Sequence, residues 1–171
     1  MSAERAEALL TTLIDSVPWR QELIRLYGRE LPVPRLQCWM GDPHSAYSYS
    51  GLSLKPLPWS APVQKLRTEV EALAGAGFNS VLLNYYRDGR DSVAWHADDE
   101  AELGPAPVIA SLSLGAARPF HLRHKRTGQR HRLSLPGGSL LVMGGTLQQH
   151  WLHQLPKVKG LEAARINLTF R

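Results

Sequence analysis

The chain has 171 residues, 43% of them hydrophobic, enough for one domain with its own core and too few for two complete ones. Lys and Arg number 20 against 15 Asp and Glu, so a formal charge of +5 biases it mildly toward polyanionic partners. The single cysteine, Cys38, excludes an intrachain disulfide and a thiolate-only metal cluster and suits a reducing compartment.

Residues 1–17, MSAERAEALLTTLIDSV, mix charge into their apolar run, unlike a signal peptide, and no later stretch approaches a membrane span. The expectation is a soluble cytoplasmic protein, nuclear if the source is eukaryotic, with no membrane association. Ala6, Leu9, Leu10, Leu13, Ile14 and Val17 repeat at helical spacing behind a cap at Ser2, and Pro18 ends that helix. A second short helix is predicted over 21–28. The sequence LPVP at 31–34 then brings the chain out extended, and residues 35–60, rich in Trp, Tyr, Ser, Pro and Gly, read as irregular structure with short strands. Ser60 followed by Ala61-Pro62 starts another helix, whose Val63, Leu66, Val70 and Leu73 mark one buried face before Gly75 and Gly77.

From residue 79 the period becomes two. Short strands are predicted at 80–86, 93–97, 107–114, 119–124, 131–135, 138–143, 149–153 and 165–170, divided by turns such as Arg87-Asp88-Gly89 and Pro136-Gly137-Gly138. Strands preceded by helices argue for a mainly β fold, a sandwich or jelly roll with the helices packed on one sheet. The terminal RINLTFR sends Ile166, Leu168 and Phe170 to one face and Arg165, Asn167, Thr169 and Arg171 to the other. Two guanidiniums in such a row suit the gripping of a carboxylate, although an exposed strand face would look the same. In WHADDE at 95–100, His96 and Asp98 stand two apart, which on a strand places both on one face. With His153 of HWLHQLP they make a two-histidine, one-carboxylate set suited to non-haem Fe(II). Each piece alone is common by chance; the combination is not.

NYYRDG at 84–89, WHADDE, SLSLG at 111–115, HWLHQLP and the terminal RINLTFR together resemble the AlkB-type Fe(II)/2-oxoglutarate dioxygenases, oxidative nucleic-acid demethylases, over roughly residues 33–171. The resemblance implies a double-stranded β-helix as a single domain, with 1–30 as helical support, 31–60 for nucleotide recognition and 79–171 as the jelly-roll core. It implies His96, Asp98 and His153 as metal ligands and chooses His153 over His150. It assigns Asn84, Tyr86, Arg165, Asn167 and Thr169 to 2-oxoglutarate, and Arg171 to the metal-bound end of that cosubstrate and the aspartate. Tyr49 would stack on a flipped base, with Tyr47 nearby, and Asp99 or Glu100 would read its exocyclic amine.

The implied reaction consumes 2-oxoglutarate and O2 and removes methyl groups from 1-methyladenine or 3-methylcytosine in DNA, with RNA as a further substrate, yielding formaldehyde, succinate and CO2. No obligate protein partner is implied. The basic run 118–132, containing Arg118, Arg123, Lys125, Arg126, Arg130 and Arg132, is the phosphate-contact candidate, and Arg35 a weaker one. Alternatives are an oxygenase of the same fold acting on protein, lipid or a small molecule, and a nucleic-acid-binding module without catalysis.

Overall fold

The computed structural model describes residues 1–26, 28–45, 47–49, 52–54 and 56–171, with the side chains of 25, 26, 47–49 and 52–54 outside that description. Helix α1 (Ala3–Ser16) is capped by the Ser2 side chain, which accepts from the Arg5 N–H at 3.3 Å, and buries Ala6, Leu10 and Leu13. A hairpin follows, β1 (Leu23–Leu26) and β2 (Arg29–Pro32). It replaces the helix expected over 21–28. Leu23 and Leu26 satisfy helical spacing, but the chain reverses beyond them, with Gly28 at φ +77°, and Leu23 pairs with Pro32. Then come β3 (Leu36–Gly41), β4 (Tyr47–Tyr49), β5 (Leu52–Leu54) and α2 (Ala61–Ala74), which stops at left-handed Gly75.

The remainder is strand: β6 (Ser80–Tyr86), β7 (Val93–His96), β8 (Ile109–Gly115), β9 (Arg118–His124), β10 (Arg130–Leu135), β11 (Leu140–Met143), β12 (Trp151–Leu155) and β13 (Arg165–Phe170). A 3-10 turn at Ala101–Leu103 and the short α3 (Leu147–His150) interrupt them. The strand expected at 149–153 therefore begins two residues later, and His150 closes a helical turn instead of lying on the strand.

Two antiparallel sheets face each other as a jelly roll, ordered β11-β8-β13-β6-β3 and β10-β9-β12-β7. The alternation in β13 explains the layering. Ile166, Leu168 and Phe170 face outward onto α1 and α2, forming one core with Leu13, Leu66, Leu83 and Leu112. Each such large side chain contributes roughly 1.5–3 kcal/mol when fully buried. A smaller cluster of Ile109, Phe120, Leu135 and Met143 fills part of the space between the sheets. The rest of that space is polar.

Candidate metal centre and cosubstrate cavity

β13 is the central strand of the larger sheet, with Asn167 opposite Asn84 on β6 and Ser113 on β8, so the inward faces of three strands make one polar floor. Asn84, Tyr86, Arg165, Asn167, Thr169 and Arg171 all line a single cavity there. Tyr85 faces the opposite way, against Trp19 at 5.3 Å. On the opposing sheet His153 of β12 pairs with His96 of β7, and Leu155 pairs with Val93. Between those pairs one residue of β12, Gln154, thus stands against two of β7, Ala94 and Trp95. That bulge brings both Val93 and His96 to the cavity although they are an odd number apart.

Ligand atoms of His96, Asp98 and His153 lie within 4.8 Å of one another. The route to this convergence differs from the strand geometry expected for WHADDE: β7 ends at His96, and Asp98 lies beyond it, its N–H donating to Oε1 of buried Gln148 at 3.0 Å. The donors fit a hard-to-borderline divalent cation in three respects. First, His96 Nδ1 sits 2.8 Å from the Ala94 carbonyl; since a carbonyl only accepts, Nδ1 is the donor there, which leaves Nε2 as the nitrogen for a metal. Second, Arg171 engages Asp98 Oδ1 at 2.5 Å, while Oδ2 faces His153 Nε2 at 3.6 Å. Third, burial, together with His96 and Arg171, outweighs Asp98 and takes the His153 imidazole down to about 4, so it is neutral at pH 7. Burial alone would raise the Asp98 carboxyl, but Arg171, His153 and His96 outweigh it and hold the group below the usual carboxylate range.

The floor beside these ligands is cationic. Arg165 is 2% exposed, donates to Ser113 Oγ at 2.9 Å, and has a buried Nε with no hydrogen-bond partner. Burial lowers its pKa to about 10, which still leaves a cation at pH 7. It meets no carboxylate among the described residues, the situation of a site built for an incoming acid. Asn167 donates to Ser111 Oγ at 2.7 Å and accepts from Thr169 Oγ1 at 2.8 Å, which locks that part of the floor. Asn84 Oδ1 accepts from Arg35 Nε at 2.8 Å and Gln37 Nε2 at 3.0 Å, leaving its amide donors for a ligand.

Arg35 is therefore no loop contact for a duplex: it is 6% exposed and holds Asn84. Arg118 also leaves the expected basic surface, since it is 1% exposed. Gln37 and Gln148 carry no assignment in the sequence reading, Ser111 and Ser113 enter it only as part of SLSLG, and Arg35 enters it as a phosphate contact. Only Arg35-Leu36-Gln37, alternating polar side chains like those of RINLTFR, carried a readable signal.

Other expected substrate residues lie elsewhere. Asp99 is exposed and paired with Lys125 at 3.1 Å, and Glu100 follows it just before the 3-10 turn; neither lines the cavity. Arg123 lies over the Trp95 ring at 4.6 Å rather than in the cavity lining. The side chains of Tyr47 and Tyr49 fall outside the described residues.

A model of the 2OG-Fe(II) oxygenase superfamily matches residues 1–171. The chain is 40% identical over 178 residues to alpha-ketoglutarate-dependent dioxygenase alkB homolog 3 of Rattus norvegicus, an alignment covering 98% of this chain and 60% of that protein. It is 42% identical over 156 residues to DNA oxidative demethylase ALKBH2 of Homo sapiens, covering 86% and 60%. The chain thus spans about three fifths of the length of these curated relatives. The solved structure of OsALKBH1 superposes with a TM-score of 0.63 at 17% identity, covering 99% of this chain and 91% of that one, which bears on the fold.

Proposed function

This chain belongs to the 2OG-Fe(II) oxygenase superfamily, and from that premise we propose that it is an oxidative demethylase of N-alkylated bases such as 1-methyladenine and 3-methylcytosine in DNA, with RNA as a further substrate. The observation that carries the reading is the meeting in one cavity of the His96, Asp98 and His153 ligand atoms with an Arg165 that has no carboxylate partner among the described residues. The names of similar proteins, a DNA oxidative demethylase among them, support the substrate class. Nucleic acid as substrate implies work in the cytoplasm, or in the nucleus of a eukaryote.

His96 Nε2, Asp98 Oδ2 and His153 Nε2 would hold Fe(II), which with 2-oxoglutarate and O2 supplies the oxidation of the methyl carbon. The protein contributes placement and charge. Arg165 would take the far carboxylate of 2-oxoglutarate, and Asn84 and Tyr86 would orient it from the neighbouring strand. Arg171 would keep Asp98 ionised and pointed, so one carboxylate oxygen remains for the metal. The sheets exclude water from these groups: Asp98, His153 and Arg165 are 3%, 4% and 2% exposed. The hairpin residues Lys125, Arg126, Arg130 and Arg132 are exposed and would meet the phosphate backbone, with residues 31–60 contributing to recognition of the base.

Anaerobic loading with Fe(II) and 2-oxoglutarate, followed by O2 and oligonucleotides carrying 1-methyladenine or 3-methylcytosine, should release formaldehyde only when both lesion and Asp98 are present. Succinate formation unaffected by any alkylated oligonucleotide would refute the substrate class.

A further inference from the structure

Arg118 opens β9, and its guanidinium turns inward beneath the larger sheet. Its NH1 donates to the Asp88 carbonyl at 3.1 Å, and its NH2 to the carbonyls of Asp91 at 2.8 Å and Pro156 at 2.7 Å. All three acceptors are neutral, and Arg118 takes part in no ion pair among the described residues. Its hydrogen bonds are thus largely satisfied by neutral groups; the Asp91 and Asp88 carboxylates act on its charge from beyond ion-pair distance, and burial outweighs them.

The seat is rigid. The two segments that supply the carbonyls are zipped together, with Gly89 N–H donating to Leu161 O and Val158 N–H to Gly89 O, each at 2.8 Å. A Cβ on Gly89 would meet Val158 O at 1.9 Å, so this closeness needs glycine. Arg87 bonds Asp91 through both carboxylate oxygens at 2.8 and 2.9 Å and fixes the same loop from its other side.

The charge of Arg118 is directed at the cosubstrate floor. Its Cζ lies 5.7 Å from the centroid of the Tyr86 ring, and the Cζ of Arg165 lies 5.3 Å from the same centroid. Two buried cations sharing one ring repel each other, and a hydrophobic side chain in place of Arg118 would avoid that cost. The arrangement becomes favourable when an anion enters beside them.

We propose that Arg118 is a positioning residue that sets the charge specificity of the cavity. It props Tyr86 and Arg165 and adds a second positive field, so that a 2-oxo acid with a far carboxylate is selected over one without. The inference rests on the cavity being the 2-oxoglutarate site. At the effective dielectric of a partly buried site, a unit charge several ångströms away changes binding by about tenfold or more.

The test compares 2-oxoglutarate with 2-oxopentanoate, which has the same five carbons and no far carboxylate, by calorimetry on anaerobic, cobalt(II)-loaded protein. Wild type should favour 2-oxoglutarate strongly. Arg118→Met should weaken 2-oxoglutarate roughly tenfold or more and 2-oxopentanoate less than twofold. Arg118→Lys keeps a charge but cannot span three carbonyls, and it should show at least a threefold loss confined to 2-oxoglutarate; this milder variant decides the matter if Arg118→Met does not fold. Equal losses for both acids, or no loss, would overturn the proposal. A wild type that fails to distinguish the two acids would instead overturn the cosubstrate reading beneath it.

Discussion

Replacing Gln148 by leucine isolates the support of one metal ligand. Gln148 is 2% exposed, and its Oε1 accepts the backbone N–H of Asp98 at 3.0 Å in a buried setting. Leucine has similar volume but no acceptor, which strands that N–H at a cost of about 1–3 kcal/mol. For a domain of this size each kcal/mol lowers the melting temperature by about 2–4 °C, so the metal-free variant should melt roughly 2–12 °C lower. Loss of an outer partner that orients a ligand typically weakens metal binding by about 10–100-fold. Titration with cobalt(II), followed by its visible absorption, should show that decrease. Lower melting with cobalt affinity within twofold of wild type would refute the reasoning, because Gln148 would then be a packing group and not a support for Asp98.

Asp98→Ala should abolish turnover and metal-dependent absorption while the far-ultraviolet circular dichroism stays native. Arg165→Ala should raise the KM for 2-oxoglutarate by about tenfold or more, the scale of a lost charge-assisted pair, with a much smaller change in kcat at saturation. Gly89→Ala forces a methyl group onto the Val158 carbonyl and should destabilise by about 1–3 kcal/mol in urea melts. For Asp91, burial raises the carboxyl, but the hydrogen bonds and charge of Arg87 outweigh it and the net shift is downward. A depressed carboxyl stabilises fully above its ordinary value near pH 4 and loses that contribution as pH falls through the lower folded value. The stability difference between wild type and Asp91→Asn should therefore be constant from about pH 5 to 7 and shrink below pH 4.

The parts of the site that could be read from sequence were those whose two faces are buried against different things. β13 needed apolar residues for the helices and polar ones for the cavity, so RINLTFR displays both requirements at period two. His96, Asp98 and His153 were legible as residue types, but not in their geometry: a bulge in β7 and a bond from Gln148 bring them together where a continuous strand was expected. Arg35 and Arg118 misled because a guanidinium in a list of charges looks like surface. What buries them is an amide oxygen and main-chain carbonyls from segments 27 to 57 residues away, and local pattern carries no trace of such partners. The strand at Leu23–Leu26 stands where a helix over 21–28 is expected for a related reason: a short apolar run fits helix and strand alike until its pairing partner is known.

The position of β13 has a consequence for how the protein comes into being. The strand latest in the sequence lies between β8 and β6, which were made 50 or more residues earlier by the register of Arg165 with Gly115 and Tyr86. Those two strands cannot be joined until it inserts, and its insertion is also the event that delivers Arg165 and Arg171. Closing of the larger sheet and delivery of the two guanidiniums to the cavity are therefore one event, reached only after the non-local pairing of β13 with both neighbours.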